Sequence, residues 1–409
     1  MGEIASTAMD FESLFAKRTG YPPVYLARAP GRVNLLGEHV DYSDGIVLPM
    51  ALEQEVKLAA APGIKGVVTL FALDLDEQVA FRLADLETRL DIEGRPLPDW
   101  SLYPAGVSWA LRRAGLEPAS LSVAYISDIP IGAGLGSSAA VEVGFAVLWQ
   151  AAGGWRIEPL ELARLCQAAE NEYAGVACGL MDQFASACGV EGHALYFDTR
   201  SLAWREEPLP LGFTVVIADS GVRRSLSNSE YNDRRASCEE AVKILKRRIP
   251  NITALRDISP IEFAAYGDLL PPIIRRRAEH VVKEIARVET AASALRRSDA
   301  RAFGALMFSS HASLRDLYSV STPELDALVE IARRLPGCLG ARLTGAGFGG
   351  CTVNLVEEDE VGRFVSELPR SYQAQTGRQA RVYSTRAGPG ASAKKPSQGR
   401  IPHKRTVPS

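Results

Sequence analysis

The residues best suited to chemistry are concentrated between positions 30 and 45, where the chain reads Pro-Gly-Arg-Val-Asn-Leu-Leu-Gly-Glu-His-Val-Asp-Tyr-Ser-Asp-Gly. This stretch places one arginine, three acids and a histidine among glycines. Neither an amphipathic helix nor a half-buried strand requires such a composition. The segment therefore predicts a binding loop. His39 is the only one of the five histidines in such a surrounding, and we interpret the other four as structural or surface residues, namely His193, His280, His311 and His403.

A second candidate is the run Gly132-Ala-Gly-Leu-Gly-Ser-Ser138, between a strand signal at 121–127 and an almost wholly apolar stretch at 139–152. Glycines let backbone N–H groups curl around an anion, and a following helix N-terminus adds free donors. This indicates phosphate binding. A Walker A loop would end in Gly-Lys-Ser/Thr, and a Rossmann loop would need glycine at 137, so neither pattern fits. A tight turn in which Ser137 and Ser138 only cap the helix stays an alternative.

Three weaker signals lie elsewhere. Residues 344–350 match GxGxxG, but a strand signal at 351–356 follows where a dinucleotide site needs a helix. Two interpretations of these glycines stay open: a plain turn, or a position where two backbones, or a backbone and a ligand, approach each other closely. Asp182 lies among apolar residues and is either a cap or turn residue or a base beside Arg32. Glu170, by its pattern alone, is typical of a solvated helix face.

The composition is that of an ordinary globular protein, with 409 residues, 46% hydrophobic, 23% charged and a net charge of −3. This charge gives no attraction for nucleic acid or an acidic membrane surface, so small-molecule partners are favoured. The six cysteines include no CxxC pair, which argues against zinc and against a disulfide framework. Because we find no leader pattern and no long apolar span, we expect a cytoplasmic protein.

Hydrophobic periodicity predicts the elements that must position these segments. Helices are predicted at 9–19, 101–114, 139–152, 158–174, 229–248 and 271–298, and strands at 24–30, within 45–61 and 65–82, and at 121–127, 193–199, 212–219 and 351–356. Ser321-Thr-Pro-Glu324 predicts a further helix start with its cap, proline and acid in order. We place a domain boundary near 200 and predict a disordered tail over 388–409, where apolar residues are few.

Together, the segments at 31–42, 132–138 and 344–350 resemble the GHMP kinase family, and the first of them resembles the galactokinase signature within that family. Further stretches resemble galactokinase counterparts in the same order, at 47–52, 178–183, 225–232, 302–307 and 343–351. The resemblance implies an α+β fold with two domains and the active site between them. Residues 1–200 would form a mixed-sheet domain, and 201–387 a domain with a ferredoxin-like antiparallel sheet.

The same resemblance implies the roles of individual residues. Sugar hydroxyls would be held by Glu38, His39, Asp41, Gly179 and Tyr231. Asp182 would be the base facing the C1 hydroxyl, with Arg32 beside it. ATP phosphates would lie on Gly132, Ala133, Gly134, Leu135, Gly136, Ser137 and Ser138, and magnesium on Ser138 and Glu170. The chain departs from the family's usual residues at Val40, where threonine is common, and at Gly136, where serine is common.

The implied reaction is transfer of the γ-phosphoryl group of ATP to galactose, with Mg²⁺, by a monomeric enzyme. Two alternatives remain open at this stage. A related kinase could act on N-acetylgalactosamine or an arabinose-like sugar. A non-catalytic sensor could bind galactose and ATP, although such a protein would have no need of Arg32, Asp182, Ser138 and Glu170, all of which are present.

Overall fold

The computed structural model describes residues 11–130, 132–176, 178–223 and 227–395, with the backbone alone at 227–229 and at Tyr231. Its strands are β1 (Tyr25–Asn34), β2 (Ile46–Val47), β3 (Pro49–Pro62), β4 (Val67–Ala72), β5 (Glu77–Arg82), β6 (Leu121–Ser127), β7 (His193–Asp198), β8 (Trp204–Pro208), β9 (Phe213–Asp219), β10 (Cys338–Thr344), β11 (Cys351–Glu357), β12 (Arg381–Thr385) and β13 (Ser392–Lys394). Its helices are α1 (Phe11–Thr19), α2 (Asp99–Arg113), α3 (Ser137–Gly153), α4 (Pro159–Ala168), α5 (Met181–Cys188), α6 (Ser227–Leu245), α7 (Pro260–Tyr266), α8 (Pro272–Arg296), α9 (Ala300–Ser313), α10 (Pro323–Arg334) and α11 (Val361–Thr376).

Two larger sheets organise the chain. The first has the order β13-β1-β3-β6-β4-β5 and is mixed, because β4 runs parallel to β6 while the other pairs are antiparallel. The second, β10-β11-β9-β12, is antiparallel throughout. A third, short sheet joins β2, β7 and β8. The predicted α+β architecture, with a mixed sheet in the first half and an antiparallel sheet in the second, is confirmed.

Helix α3 forms the centre of the first half. It packs on β1 and β3 and is flanked by α2 and α5. Its side chains are apolar on nearly every face, and Phe145 and Trp149 are fully buried, as expected of a helix enclosed on all sides. The glycine-rich loop that precedes α3 is therefore mounted on a rigid, buried element. Among the described residues, no helix is long and apolar enough to span a membrane.

Two predicted helix boundaries have informative outcomes. The cap at Thr322 is confirmed, since its side chain accepts a hydrogen bond from the Leu325 N–H and Pro323 is the first helical residue. The single helix predicted at 158–174 is instead α4 followed by one π-helical turn, Ala169–Ala174. Periodicity does not distinguish these two geometries over one turn. The change matters because π-helical turns are frequent at functional sites, and this one carries Glu170.

The predicted tail begins too early. Residues 392–394 form β13, which pairs with the edge strand β1 through Leu26 and Lys394 and their neighbours. The Gly388 N–H also donates to the Ala51 carbonyl at 3.0 Å. Backbone pairing of this kind does not depend on apolar side chains, so composition does not reveal it. Residues 396–409 lie outside the described residues, and the domain limits stay a prediction; the boundary near 200 falls within the β7–β8 hairpin.

Candidate active site

Arg32 is the residue that joins the separate sequence segments. It lies near the end of β1, and its Nε donates to Asp182 Oδ1 at 2.8 Å while Nη2 contacts Oδ2. Its Nη1 donates to the Gly134 carbonyl oxygen at 2.6 Å, and its backbone N–H to that of Leu135 at 2.8 Å. A two-pronged guanidinium contact fixes both the distance and the plane of a carboxylate. Arg32 thus positions Asp182 against the glycine-rich loop.

Asp182 lies in the first turn of α5, where a negative side chain is favoured by the helix dipole. Its side chain is 28% exposed, whereas that of Arg32 is only 8% exposed. The carboxylate therefore has one face held by the buried cation and another face open to an incoming molecule. This arrangement suits a positioned general base, because the group is oriented and still accessible.

The glycine-rich loop has the conformation expected of an anion cradle. Gly132, Gly134 and Gly136 all have positive φ angles, of 70°, 79° and 73°. Alternation with ordinary residues turns successive N–H groups toward one side. Gly136 is also the N-cap of α3, and it makes no side-chain cap hydrogen bond. Ser137 and Ser138 follow the cap position, so the alternative in which they only cap the helix is wrong, and the first N–H groups of α3 have no partner within the helix itself.

The glycine at 136, unusual for the family, has a local explanation. A β-carbon there would lie 3.1 Å from Cγ and 3.5 Å from Nη1 of Arg32, and the left-handed backbone already disfavours side chains. The glycine thus leaves room for Arg32.

Val40, the other departure from the family's usual residues, is explained by burial, since it is fully enclosed and Gly45 packs closely against it. A methyl group suits that apolar position.

Glu170 lies close to Ser138, next to the glycine-rich loop at 132–138. The carboxyl is buried, so its interpretation as a solvated helix face is wrong. Burial raises the pKa of Glu170, and hydrogen bonds from Cys178, Ser138 and Gln183 oppose that rise. Hydroxyl and carboxylate oxygens are the ligands that Mg²⁺ prefers, and it usually takes one or two from the protein and the rest from phosphates and water. The described residues contain no cluster of three or more His, Cys, Asp or Glu suited to a metal.

Glu38 points into the interior and is held by a cation from the second half of the chain. Arg342, in β10, donates from Nη2 to Glu38 Oε2 at 2.6 Å and from Nη1 to the Asn34 carbonyl at 2.9 Å. Both side chains are almost completely buried, at 0% and 4% exposure. Burial raises the pKa of Glu38, while the positive charges of Arg342 and then Arg32 lower it. The first loop is thus fastened from both halves of the protein.

His39 has a left-handed backbone (φ 60°) and links two loops. Its Nε2 lies 3.1 Å from the Ala346 carbonyl and its Nδ1 lies 3.0 Å from the Tyr42 hydroxyl. Because a carbonyl oxygen can only accept, Nε2 is assigned as the donor in this contact. The histidine therefore ties the first loop to residues 344–350. In that run Gly347 and Gly349 lie against the backbones of Val320 and Val222, so the glycines do serve close backbone approach.

Asp41 completes the loop at a point of close contact with the Asp182 segment. A β-carbon on Gly179 would lie only 1.9 Å from Asp41 Oδ2, so the glycine hydrogen is needed there. Burial, the charge of Asp182 and that of Glu38 together raise the pKa of Asp41 to about 6. Three acids thus converge, with Arg32 and Arg342 as cations. Tyr231 lies in α6, and its side chain lies outside the described residues.

Comparison with known proteins agrees with this geometry. Residues 13–62 match the galactokinase galactose-binding signature, 103–190 the GHMP kinases N terminal domain, and 291–374 the GHMP kinases C terminal domain. The chain is 44% identical over 392 residues to a galactokinase of Chloroflexus aurantiacus, covering 96% of this chain and 98% of that protein. It is 45% identical over 376 residues to a galactokinase of Roseiflexus sp., covering 92% and 94%. The chain belongs to the galactokinase family.

Solved structures support the same family. A crystal structure of Lactococcus lactis galactokinase complexed with galactose superposes with a TM-score of 0.87 at 34% identity, and covers 93% of this chain and 98% of that one. A mevalonate kinase structure, at 22% identity and a TM-score of 0.61, shares the fold alone. The predicted GHMP kinase fold of this galactokinase family member is therefore confirmed.

Sequence reasoning missed several residues that shape the site of this galactokinase family member. Arg342 is one, although an arginine inside the otherwise apolar strand Cys338–Thr344 is a signal that a buried partner exists. Gln183 and Glu142 are two others, both fully buried beside Glu170. Neither belongs to a pattern with known chemistry, so only their contacts reveal them.

Proposed function

We propose that this protein is a galactokinase, which transfers the γ-phosphoryl group of ATP to the C1 hydroxyl of galactose and yields galactose 1-phosphate and ADP. The bidentate Arg32–Asp182 pair is the observation that carries this proposal. Arg32 contacts the glycine-rich loop, and the segment leading into Asp182 contacts Asp41 at Gly179. The base therefore stands where a sugar on one loop meets a phosphate on the other. Family membership supports the assignment.

In this mechanism Asp182 accepts the proton of the sugar hydroxyl as that oxygen attacks the γ-phosphorus. Arg32 keeps the carboxylate in place, and its charge also stabilises negative charge that develops on the transferred group. Phosphoryl transfer passes through a loose transition state, so most of the protein's contribution is positioning and charge neutralisation. The N–H groups of residues 132–138 hold the phosphates in line with the hydroxyl.

Magnesium fits the pair formed by Ser138 and Glu170. The Ser138 hydroxyl lies close enough to the Glu170 carboxyl to lower its pKa, and a cation bound by both would compensate the negative charge of this buried carboxylate. When bound there, Mg²⁺ would neutralise charge on the ATP phosphates. The glycine-rich loop supplies only neutral donors, so a cation at this point complements it.

The sugar is held by Glu38, His39, Asp41, Gly179 and Tyr231, as family membership suggests. Glu38 is held by Arg342 and His39 by Tyr42 in the absence of a sugar, and Asp41 lies close against Gly179. A preformed set of acceptors and donors rejects a sugar whose hydroxyl points elsewhere, because a buried polar group then loses its partner.

Discrimination between epimers follows from this preformed site. We expect kcat/KM for galactose to exceed that for glucose by at least about tenfold, because each unpaired buried group costs about 1–3 kcal/mol. A coupled assay of ADP release against galactose, glucose, N-acetylgalactosamine and arabinose measures this. ATP turnover without any sugar is the control. Equal rates with galactose and glucose would overturn the assigned roles of Glu38, His39 and Asp41, and no turnover with any sugar would favour a sensor.

Replacing Gly179 with alanine tests the contact with Asp41. The added β-carbon would overlap Asp41 Oδ2 and push the carboxylate away, so we expect KM for galactose to rise by about tenfold with a smaller change in kcat. Steady-state kinetics measures both. Gly362→Ala is the matched control, because a β-carbon there meets nothing within 4 Å and should leave KM unchanged. An unaltered KM in Gly179→Ala would remove Asp41 from the sugar site.

The proposal also includes a cytoplasmic location and a monomeric state. A net charge of −3 and cysteines without a CxxC pair support an intracellular enzyme with small-molecule substrates.

A further inference from the structure

Gln183 follows the proposed base directly in α5 and is fully buried. Its side-chain nitrogen Nε2 donates to Glu170 Oε2 at 2.5 Å and to Glu142 Oε2 at 3.0 Å. This orientation of the carboxamide is assigned from its contacts, since an amide N–H can donate to a carboxylate oxygen whereas the amide oxygen can only accept. An amide nitrogen has two protons, and each of them is directed to one of the two acids. Gln183 is therefore a bridge between two helical segments.

Glu142 forms the far side of this bridge. It lies on α3, one turn after Ser138, and is fully buried. Among the residues that the structure describes, its second oxygen, Oε1, has no hydrogen-bond partner, and neither has the side-chain oxygen of Gln183. Burial and the neighbouring charge of Glu170 raise the pKa of Glu142. Within the part of the chain that the structure describes, the amide of Gln183 thus links Glu142 to Glu170.

The bridge determines which oxygen of Glu170 is available. Cys178 Sγ also donates to Oε2 of Glu170, at 3.2 Å, so Gln183 and Cys178 act on the same oxygen. These two donors leave Oε1 for other partners. Outer groups that hydrogen-bond a metal-binding side chain fix its orientation, and their loss typically lowers metal affinity about 10- to 100-fold.

We propose that Gln183 is a positioning residue that holds the Glu170 carboxylate in the orientation needed to bind magnesium, and that links this carboxylate to the helical turn carrying Asp182. The inference rests on the proposed role of Glu170 as a metal ligand. Gln183 itself contacts neither metal nor substrate in this account. Its effect on the reaction passes through the placement of Glu170 relative to Asp182.

The test is direct metal binding. Gln183→Met keeps the length of the side chain but removes both donors, and we expect it to lower the affinity for Mn²⁺ in the presence of ADP by about tenfold or more. Paramagnetic resonance of free Mn²⁺ measures this without turnover, and titration calorimetry should show unchanged galactose affinity. The magnesium concentration for half-maximal kcat should rise in parallel, while KM for galactose stays the same.

Two further single variants separate the possible outcomes. Asn354→Leu removes another fully buried amide, which donates to the Val216 carbonyl in the second half, and should lower the Tm without changing Mn²⁺ affinity. Glu170→Gln tests the metal site itself. If this variant bound Mn²⁺ with unchanged affinity, the proposed role of Glu170 as a metal ligand would be wrong. A loss in Glu170→Gln with wild-type affinity in Gln183→Met would overturn the positioning role alone.

The double variant Gln183→Met/Glu142→Leu covers the case in which the single variant does not fold. Replacing both buried partners by apolar groups is far less destabilising than removing one. We expect the double variant to fold and still to bind Mn²⁺ weakly. Recovery of wild-type Mn²⁺ affinity would show that Gln183 only relieves the burial of Glu142, and the proposal would be rejected.

Discussion

Replacement of Asp182 by alanine is expected to remove most phosphoryl transfer while galactose binding stays measurable. A positioned base contributes about 10²–10⁴-fold to a rate, and kcat should fall by that order. The sugar keeps the contacts of Glu38, His39 and Asp41, so its affinity should change little. Asp182→Asn should lose as much activity, because it keeps the shape beside Arg32 but cannot accept the proton. Single-turnover kinetics with ATP, together with galactose titration by calorimetry, measures both quantities.

A structural aspartate provides the control for this experiment. Asp91 is also buried and paired with an arginine, Arg95, but it organises a loop by accepting from the N–H groups of Glu93 and Arg95. Asp91→Ala should therefore lower the Tm and leave kcat intact. If Asp182→Asn retained activity within about tenfold of the wild-type kcat, the base would have to be another group.

Among the single substitutions proposed here, replacement of Arg342 by methionine is expected to lower the free energy of unfolding the most. It leaves Glu38 buried without its cation, and breaking one side of a buried ion pair costs about 3–5 kcal/mol. Urea unfolding measures the change. Arg342→Met/Glu38→Gln should recover much of the loss, because no uncompensated charge remains. Arg363→Met is the surface control: its pair with Glu367 is exposed and should contribute at most about 1 kcal/mol.

The loss in Arg342→Met should also depend on pH in a defined direction. Burial already raises the pKa of Glu38, and removing the opposing charge of Arg342 raises it further. A carboxyl whose folded pKa lies above its unfolded pKa destabilises the protein as pH rises between those two values. The difference from wild type should therefore be larger at pH 8 than at pH 5. A difference that is independent of pH, or smaller at pH 8, would contradict this account.

Local patterns were sufficient for most elements and for the candidate loops. The apolar run after residue 138 predicts α3, and the cap at Thr322 predicts the start of α10, because both depend on interactions within a few residues. The glycines at 132, 134 and 136 likewise predict a loop with left-handed residues, as observed. Failures occurred where a distant segment decides the structure, as in β13, which is formed by pairing with β1.

Within the site, residue types could be predicted but not their environment. Glu170 shows the difference: its neighbours in the chain suggest a solvated face, yet the π-helical turn directs it into the interior beside Ser138. Asp182 shows the converse: its apolar neighbours indicated that a cation or hydrogen-bond donors must satisfy it, and the fold brings Arg32 to it from 150 residues away in the chain. The need for a partner can be predicted from polarity, whereas the bidentate geometry of the contact with Arg32 depends on the fold.

The sequence alone thus indicated the available chemistry: a charged loop at 30–45, a glycine run suited to binding an anion, an aspartate that required a cation or hydrogen-bond donors, and a family with two α+β domains. Tertiary structure alone decided which groups are buried, which share a hydrogen bond and which are held ready for a ligand. Arg342, Gln183 and Glu142 gained their importance only there. The physical reason is that electrostatic and hydrogen-bond energies depend on distance and burial in space, and neither follows from separation along the chain.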